Sequence, residues 1–245
     1  MPKQIISTEV LGCRVDVVDM AQAVQTVETA IHNRTPLNIV TLNAEMIYQA
    51  QNDRDLMRLY AQAGLVTPDG IGTVWALRRQ GYAAAERVTG IDLSDRIIQL
   101  AVIRNWGIFL LGGQPSVADK AAEALQIDYP GLRIVGTHHG YFPENNDKAI
   151  VEQIRQARPE VLLAALGAPK QDYWIEKYLA ELEVPVCIGI GGSLDVWSGN
   201  TKRAPAFWQR AGLEWLYRLI SEPSRIKRQI VLPMFAFKVL VNGKR

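Results

Sequence analysis

Six short apolar runs punctuate the chain: NIVTL at 38–42, AGLVT at 63–67, GIFLL at 107–111, RIVGT at 133–137, VLLAAL at 161–166 and VCIGI at 186–190. Several are apolar throughout rather than alternating, as expected of parallel strands buried on both faces. The stretches between them, such as SVADKAAEALQIDYP and DKAIVEQIRQARP, carry a helical period, and Pro130 and Pro159 mark their ends. Near the N-terminus, EVLGCRVDVVD alternates around a glycine and predicts a strand pair. Asp19, with Gln22 three positions on, predicts a capping box for a helix reaching about Ile31. Strand–helix alternation on this scale predicts an α/β fold, a Rossmann-like open, mainly parallel sheet of about six strands with helices on both faces. No internal repeat, low-complexity segment or interdomain linker interrupts it.

In such sheets ligands bind beyond the carboxyl ends of the strands. The residues found there are Thr41 and Asn43, then Pro68-Asp69-Gly70, Gly112-Gly113, His138-His139-Gly140, GAPKQ at 167–171 and GGSLD at 191–195. Small polar groups and glycines recur at nearly every strand end. They permit close backbone approach and leave helix N-terminal N–H groups free for a phosphate, so a nucleotide-binding rim is expected. Standard dinucleotide and triphosphate signatures are missing. GIGGSL at 189–194 has leucine where GxGxxG needs its third glycine, and there is no GxxxxGK[ST]. Asp53 and Asp55 form a DxD at the start of NDRDLMRLYAQA, where acids suit the helix dipole. They are read as a helix start, the adjacent His138 and His139 as loop residues, and no metal site or cofactor is expected.

The charge distribution adds a second feature. The total is nearly neutral, with 27 basic and 25 acidic side chains. Residues 202–245 nevertheless carry ten basic groups and two acids, net +8, against net −6 for the first 201. The expected organisation is an α/β core at 1–201 and a basic amphipathic appendage at 202–245. Within the appendage, IVLPMFAFKVLV at 230–241 is apolar, shorter than a bilayer span, and interrupted by Pro233 and Lys238. A basic, aromatic, amphipathic end fits an interfacial anchor on anionic lipid. No nucleic-acid motif accompanies the charge, and no nucleic-acid partner is expected. Cys13 and Cys187 have no pairing pattern, and MPKQIISTEV lacks a signal-peptide core. The expected location is cytoplasmic, peripheral on the inner face of the plasma membrane. A homo-oligomer is compatible with all of this.

Seven stretches in order, TLNAEMIYQA, TPDGIG, ERVTGIDL, FLLGGQP, GAPKQDYWI, GIGGSLDVWSGNTKRAP and GLEWLYRLISEPSRIKR, resemble the bacterial WecG/TagA/CpsF glycosyltransferases. The resemblance implies transfer of a sugar, N-acetylmannosamine in the best-known reaction, from a UDP donor to undecaprenyl-pyrophosphate-linked N-acetylglucosamine. It implies inversion without an obligatory metal, in the synthesis of a cell-envelope polysaccharide. Asp69 matches the family's proposed general base, the group that takes the proton of the attacking acceptor hydroxyl; as a residue in a turn before a helix it could equally be an N-cap. Thr41 and Asn43 match a polar pair near the donor sugar, or serve as turn and cap. Arg87 would steady the diphosphate or the acceptor, or pair with Glu86 or another acid. Gln171 would bond the sugar or nucleotide, or stand at an exposed helix start. Gly112, Gly113, Gly191 and Gly192 are candidate N–H donors to departing UDP, or ordinary tight turns. Asp195 would bind the ribose or a structural arginine such as Arg203. Arg218, Arg225 and Arg228, spaced to share an approximate helix face, would meet the acceptor or donor diphosphate. Other UDP-sugars, or a nucleotide-sugar-binding assembly protein without catalysis, are the alternative readings.

Overall fold

The computed structural model describes residues 5–210, 212–221 and 230–242. Strands β1 (Ile6–Val10) and β2 (Cys13–Val17) form an antiparallel hairpin. Helix α1 (Met20–Asn33) begins with the expected capping box, Asp19 accepting from the Gln22 N–H while the Gln22 side chain accepts from the Asp19 N–H. There follow β3 (Leu37–Leu42), α2 (Ala44–Ala50), α3 (Arg54–Gln62), β4 (Leu65–Pro68), α4 (Ile71–Arg79) and α5 (Gly90–Arg104). Then come β5 (Gly107–Gly112), α6 (Val117–Asp128), β6 (Arg133–His138), α7 (Asp147–Ala157), β7 (Val161–Ala165), α8 (Lys170–Leu182), β8 (Val186–Gly189) and α9 (Ser193–Trp197). The tail contributes α10 (Ala206–Arg210), α11 (Glu214–Ser221) and α12 (Val231–Asn242).

Six parallel strands form one sheet in the order β4-β3-β8-β7-β5-β6. Every residue of β3, β4, β5 and β8 is buried, which accounts for their uninterrupted apolar pattern. Alternate strand side chains point to opposite faces. Ile39, Leu65, Ile108, Leu163 and Ile188 pack with α1, α5, α6 and α9 on one side. On the other, Val40, Leu42 and Val66 meet α2, α3, α4 and the hairpin, while Phe109, Leu162 and Cys187 meet α7 and α8. The fold is therefore the α/β architecture expected, with strand limits shifted by one or two residues. The main difference is the run at 63–67, whose first residue, Ala63, closes α3. Cys13 and Cys187 are free and buried, and burial pushes both thiols up to about 12.

The outer edge of β4 is not left open. Asp16 of β2 is buried and accepts the Val66 N–H at 2.8 Å. Arg14 holds that carboxylate at 2.9 Å and bonds the Ala63 carbonyl at 2.7 Å. A side chain thus occupies the donor of an edge strand that would otherwise offer itself for pairing.

The tail is joined to the core by packing. Phe235 and Val239 of α12 are buried in the cluster that contains Ala44, Ile47, Val74 and Leu77. The other face of α12 exposes Met234, Phe237, Leu240 and Val241. Among the described residues, no helix is long and apolar enough to cross a membrane. Phe235→Ala should lower the unfolding free energy by ~3–5 kcal/mol, as for other buried aromatics, in urea denaturation. An unchanged midpoint would show that α12 is not part of the cooperative core.

Candidate active site

The strand ends are tied to one another by short contacts. At the end of β3, Thr41 is buried and donates through Oγ1 to the Gly189 carbonyl at 3.2 Å. Asn43 follows as the N-cap of α2, its Oδ1 accepting from the Met46 N–H at 3.0 Å. The Leu42 carbonyl between them accepts both the Asp69 N–H at 3.0 Å and the Thr73 hydroxyl at 3.1 Å, which fixes the end of β4 beside the end of β3.

Asp69 is half-buried, and it is not a helix cap. Gly70 occupies the N-cap position of α4 without a side-chain bond. The Asp69 carboxylate turns instead towards the start of α5, where its Oδ2 accepts from the Gly90 N–H at 3.5 Å. The positive end of a fifteen-residue helix thus faces the carboxylate. Two further bonds hold the chain entering α5 against β4, from the Val88 N–H to the Pro68 carbonyl at 3.0 Å and from the Thr67 hydroxyl to the Val88 carbonyl at 2.9 Å.

Gln171 is 3 % exposed, so the exposed-helix-start reading does not hold. It lies across the end of β8, where its Oε1 accepts the Gly191 N–H at 3.1 Å. That bond also changes the expected donor set. The Gly191 N–H is taken by Gln171, and the Gly113 N–H by the Ala165 carbonyl at 3.2 Å. Gly192 makes no bond through its N–H among the described residues, and a side chain there would meet nothing within 4 Å. Gly112 serves a packing purpose, because a Cβ on it would come within 2.3 Å of the Ala165 carbonyl oxygen of the neighbouring strand.

Two expected pairings are decided by residues distant in the chain. Arg87 pairs not with Glu86 but with another acid, the second of the partners expected for it. Its Nη1 donates to Glu214 of α11 at 3.2 Å, whereas Glu86 accepts from the Met20 N–H. Arg203 pairs not with Asp195 but with Asp92, and lies 3.8 Å from Asp95, both on α5. Asp195 contributes its carbonyl to the Thr201 N–H and the Ser198 hydroxyl. Burial pushes the Asp92 carboxyl up, but hydrogen bonds from Thr89 and Arg203 outweigh this and hold it below the usual range. For Asp95 burial prevails and holds the carboxyl above that range. Asp53 is the N-cap of α3, accepting from the Leu56 N–H at 3.0 Å and from the Tyr173 hydroxyl at 2.8 Å. Asp55 pairs on the surface with Arg58 at 3.1 Å. The helix-start reading of the DxD thus matches the structure. Arg225 and Arg228 lie outside the described residues, as does the side chain of Arg218.

Sequence reasoning passed over two acids. Glu214 is one of only two acids in a strongly basic tail, which was the available signal. Asp172 is 1 % exposed beside Gln171, and its Oδ2 has no hydrogen-bond partner among the described residues. Burial pushes its carboxyl up to about 7. The only hint was an acid among the apolar positions of α8.

The architecture is an open, parallel α/β sheet with a rim of glycines and small polar groups at its strand ends. The match to a family model gives the class of protein. Residues 8–245 match the glycosyl transferase WecG/TagA/CpsF family, and the chain belongs to it. It is a glycosyltransferase. Similar curated proteins from Staphylococcus aureus strains MW2, NCTC 8325 / PS 47 and COL are each 34 % identical over 233 residues. The match covers 94 % of this chain and 91 % of theirs. Those proteins are named N-acetylglucosaminyldiphosphoundecaprenol N-acetyl-beta-D-mannosaminyltransferase.

The raised carboxyl of Asp172 makes a prediction about stability. Below ~4, near the unfolded value, the proton is bound in both states. As pH rises from there towards about 7, the unfolded chain releases it and the folded protein keeps it, so stability is progressively lost. Asp172→Asn should flatten the fall in Tm between pH 5 and pH 7 and raise Tm at pH 8. A pH profile identical to wild type would show that Asp172 is ionised in the fold.

Proposed function

We propose that the protein transfers N-acetylmannosamine from a UDP donor to undecaprenyl-pyrophosphate-linked N-acetylglucosamine, with inversion, in cell-envelope polysaccharide synthesis. The observation that carries this reading is the Asp69 carboxylate, held at the end of β4 and not spent on capping α4. The names of the similar staphylococcal proteins supply the sugar, the lipid-linked acceptor and the β configuration of the product.

In this reading Asp69 is the general base. The acceptor hydroxyl oxygen forms the new bond to the anomeric carbon as its proton passes to Asp69, and the bond from that carbon to the UDP oxygen breaks with its electron pair on UDP. Thr41, Asn43 and Gln171 line the donor-sugar side, with Gln171 placed by its bond to Gly191. The charge on departing UDP is met by Arg87 and the Gly192 N–H, donors already in position before charge develops. Asp195 is the ribose contact. The core at 1–201 binds the nucleotide. Arg218, Arg225 and Arg228 of the basic appendage meet the acceptor or donor diphosphate, while the exposed apolar face of α12 rests on anionic lipid from the cytoplasmic side.

A screen of UDP-sugars against a short-chain lipid-pyrophosphate-N-acetylglucosamine analogue tests the donor assignment, and proton NMR of the product tests inversion. Transfer only from a glucose or uronic acid donor would replace the sugar named here. Asp69→Asn should leave UDP affinity within a fewfold and cut kcat by roughly 10²–10⁴, the usual worth of a positioned base. Near-normal turnover would remove Asp69 from that role.

Asp53 caps α3, so activity should survive EDTA and Asp53→Ala should act mainly on stability. Loss in EDTA with rescue by Mg²⁺ or Mn²⁺ would reassign the group that stabilises departing UDP. Arg218→Ala, Arg225→Ala and Arg228→Ala in the full-length chain should each reduce transfer to the short-chain acceptor by ~1.5–3 kcal/mol, while binding to anionic vesicles falls only ~1 kcal/mol per charge removed. Full activity on that soluble acceptor would reduce the tail to an anchor.

A further inference from the structure

The tail meets the core at the start of α4, next to Asp69. A side chain on Gly212 would touch Ile71, the first residue of α4, at 3.2 Å, and Phe235 packs over Gly72. The tail is also tied to the core by a partly buried ion pair, Arg87 Nη1 to Glu214 Oε2 at 3.2 Å, with side chains 23 % and 12 % exposed. Arg87 is held on the core side. It directly precedes Val88, which is bonded to both Pro68 and Thr67 of β4, and two residues further on the Gly90 N–H reaches Asp69. Glu214 opens α11 on the tail side, and its charge also acts on Arg203.

The pairing uses little of the guanidinium. Arg87 makes one hydrogen bond among the described residues, through Nη1, and its Nε and Nη2 donors remain available. A guanidinium offers five N–H groups in a rigid plane, so a carboxylate on one nitrogen fixes the direction of the others. A partly buried carboxylate left without a cation is disfavoured, and Arg87 supplies one to Glu214 where α11 meets the rim.

We propose that Glu214 is a positioning residue. It docks α11 onto the rim and, through the same ion pair, orients the free edge of Arg87 towards a diphosphate beside Asp69. The orienting half rests on the reading of Arg87 as a diphosphate contact, while the docking half does not.

The test uses the full-length chain as wild type, Glu214→Gln, Glu214→Asp, Arg87→Ala and the Arg87→Ala/Glu214→Gln double variant. Hydrogen exchange over residues 212–221 reads docking without reference to catalysis. Glu214→Gln and Arg87→Ala should each speed exchange by about tenfold, the scale of a hydrogen bond between charged groups, and the double variant no further. Additive effects, or wild-type protection in Glu214→Gln, would overturn the docking. UDP affinity and donor KM read orientation. Glu214→Gln should raise both the UDP Kd and the donor KM about tenfold with a smaller change in kcat, and Glu214→Asp should recover part of the loss. Weaker donor binding in Arg87→Ala but not in Glu214→Gln would overturn the coupling. So would tighter UDP binding in Glu214→Gln, which would make Glu214 a competitor of the diphosphate. Unchanged UDP affinity in Arg87→Ala would instead remove Arg87 from the diphosphate and leave the exchange data to judge docking alone.

Discussion

A side chain on Gly189 would lie 2.5 Å from Gln171 Nε2, 3.0 Å from its Cδ and 3.2 Å from Asp172 Oδ1, so a larger residue would displace the Gln171 and Asp172 side chains from the end of β8. With hydrogen in that place, the helix start settles directly on the strand. Gln171 then reaches the Gly191 N–H, and the Gly189 carbonyl stays open for Thr41 of the adjoining strand. Gly90 depends on the same spot, since a Cβ there would come within 3.2 Å of Thr41 Oγ1 and 3.6 Å of the Gly189 carbonyl oxygen. The end of β3, the end of β8 and the starts of α5 and α8 therefore converge around one residue that has no side chain. Asp69 is placed by that convergence, because the α5 N–H it meets belongs to Gly90.

This close packing buries polar groups, and their fates differ. Thr41, Gln171 and Ser193 are buried with hydrogen bonds to neighbouring backbone. Asp172 follows from the same approach of α8, but its Oδ2 has no partner among the described residues, and burial pushes its carboxyl up. The tail meets the core by opposite means. Phe235 and Val239 are held by apolar burial, while Glu214 and Arg203 are held by charge against Arg87, Asp92 and Asp95. Apolar contact gives the tail adhesion without direction, and the ion pairs give it a fixed register on the rim.

Much of the architecture was legible because parallel strands buried on both faces leave an unmistakable pattern. The six apolar runs became the six strands, and the Asp19 capping box formed as the spacing requires. The positions at the strand ends were legible too, since a doubly wound sheet obliges ligands to that edge. Local sequence could not decide between roles that depend on what lies across space. Asp69 looks like a cap in sequence, and only the position of α5 shows where its carboxylate turns. Gln171 looks like an exposed helix start, and only the absent side chain of Gly189 allows it to be buried.

What the sequence by itself determined is the set of periodic elements, their parallel arrangement and the seven ordered stretches that mark the family, because these follow from local spacing and residue type. What only the tertiary structure decided is pairing. Arg87 lies 127 residues from Glu214 along the chain, Arg203 lies 111 from Asp92, and Thr41 lies 148 from the carbonyl it bonds. A charged or polar side chain carries no mark of its partner. The partner is selected when folding brings distant elements together and burial makes an unpaired group too costly to keep.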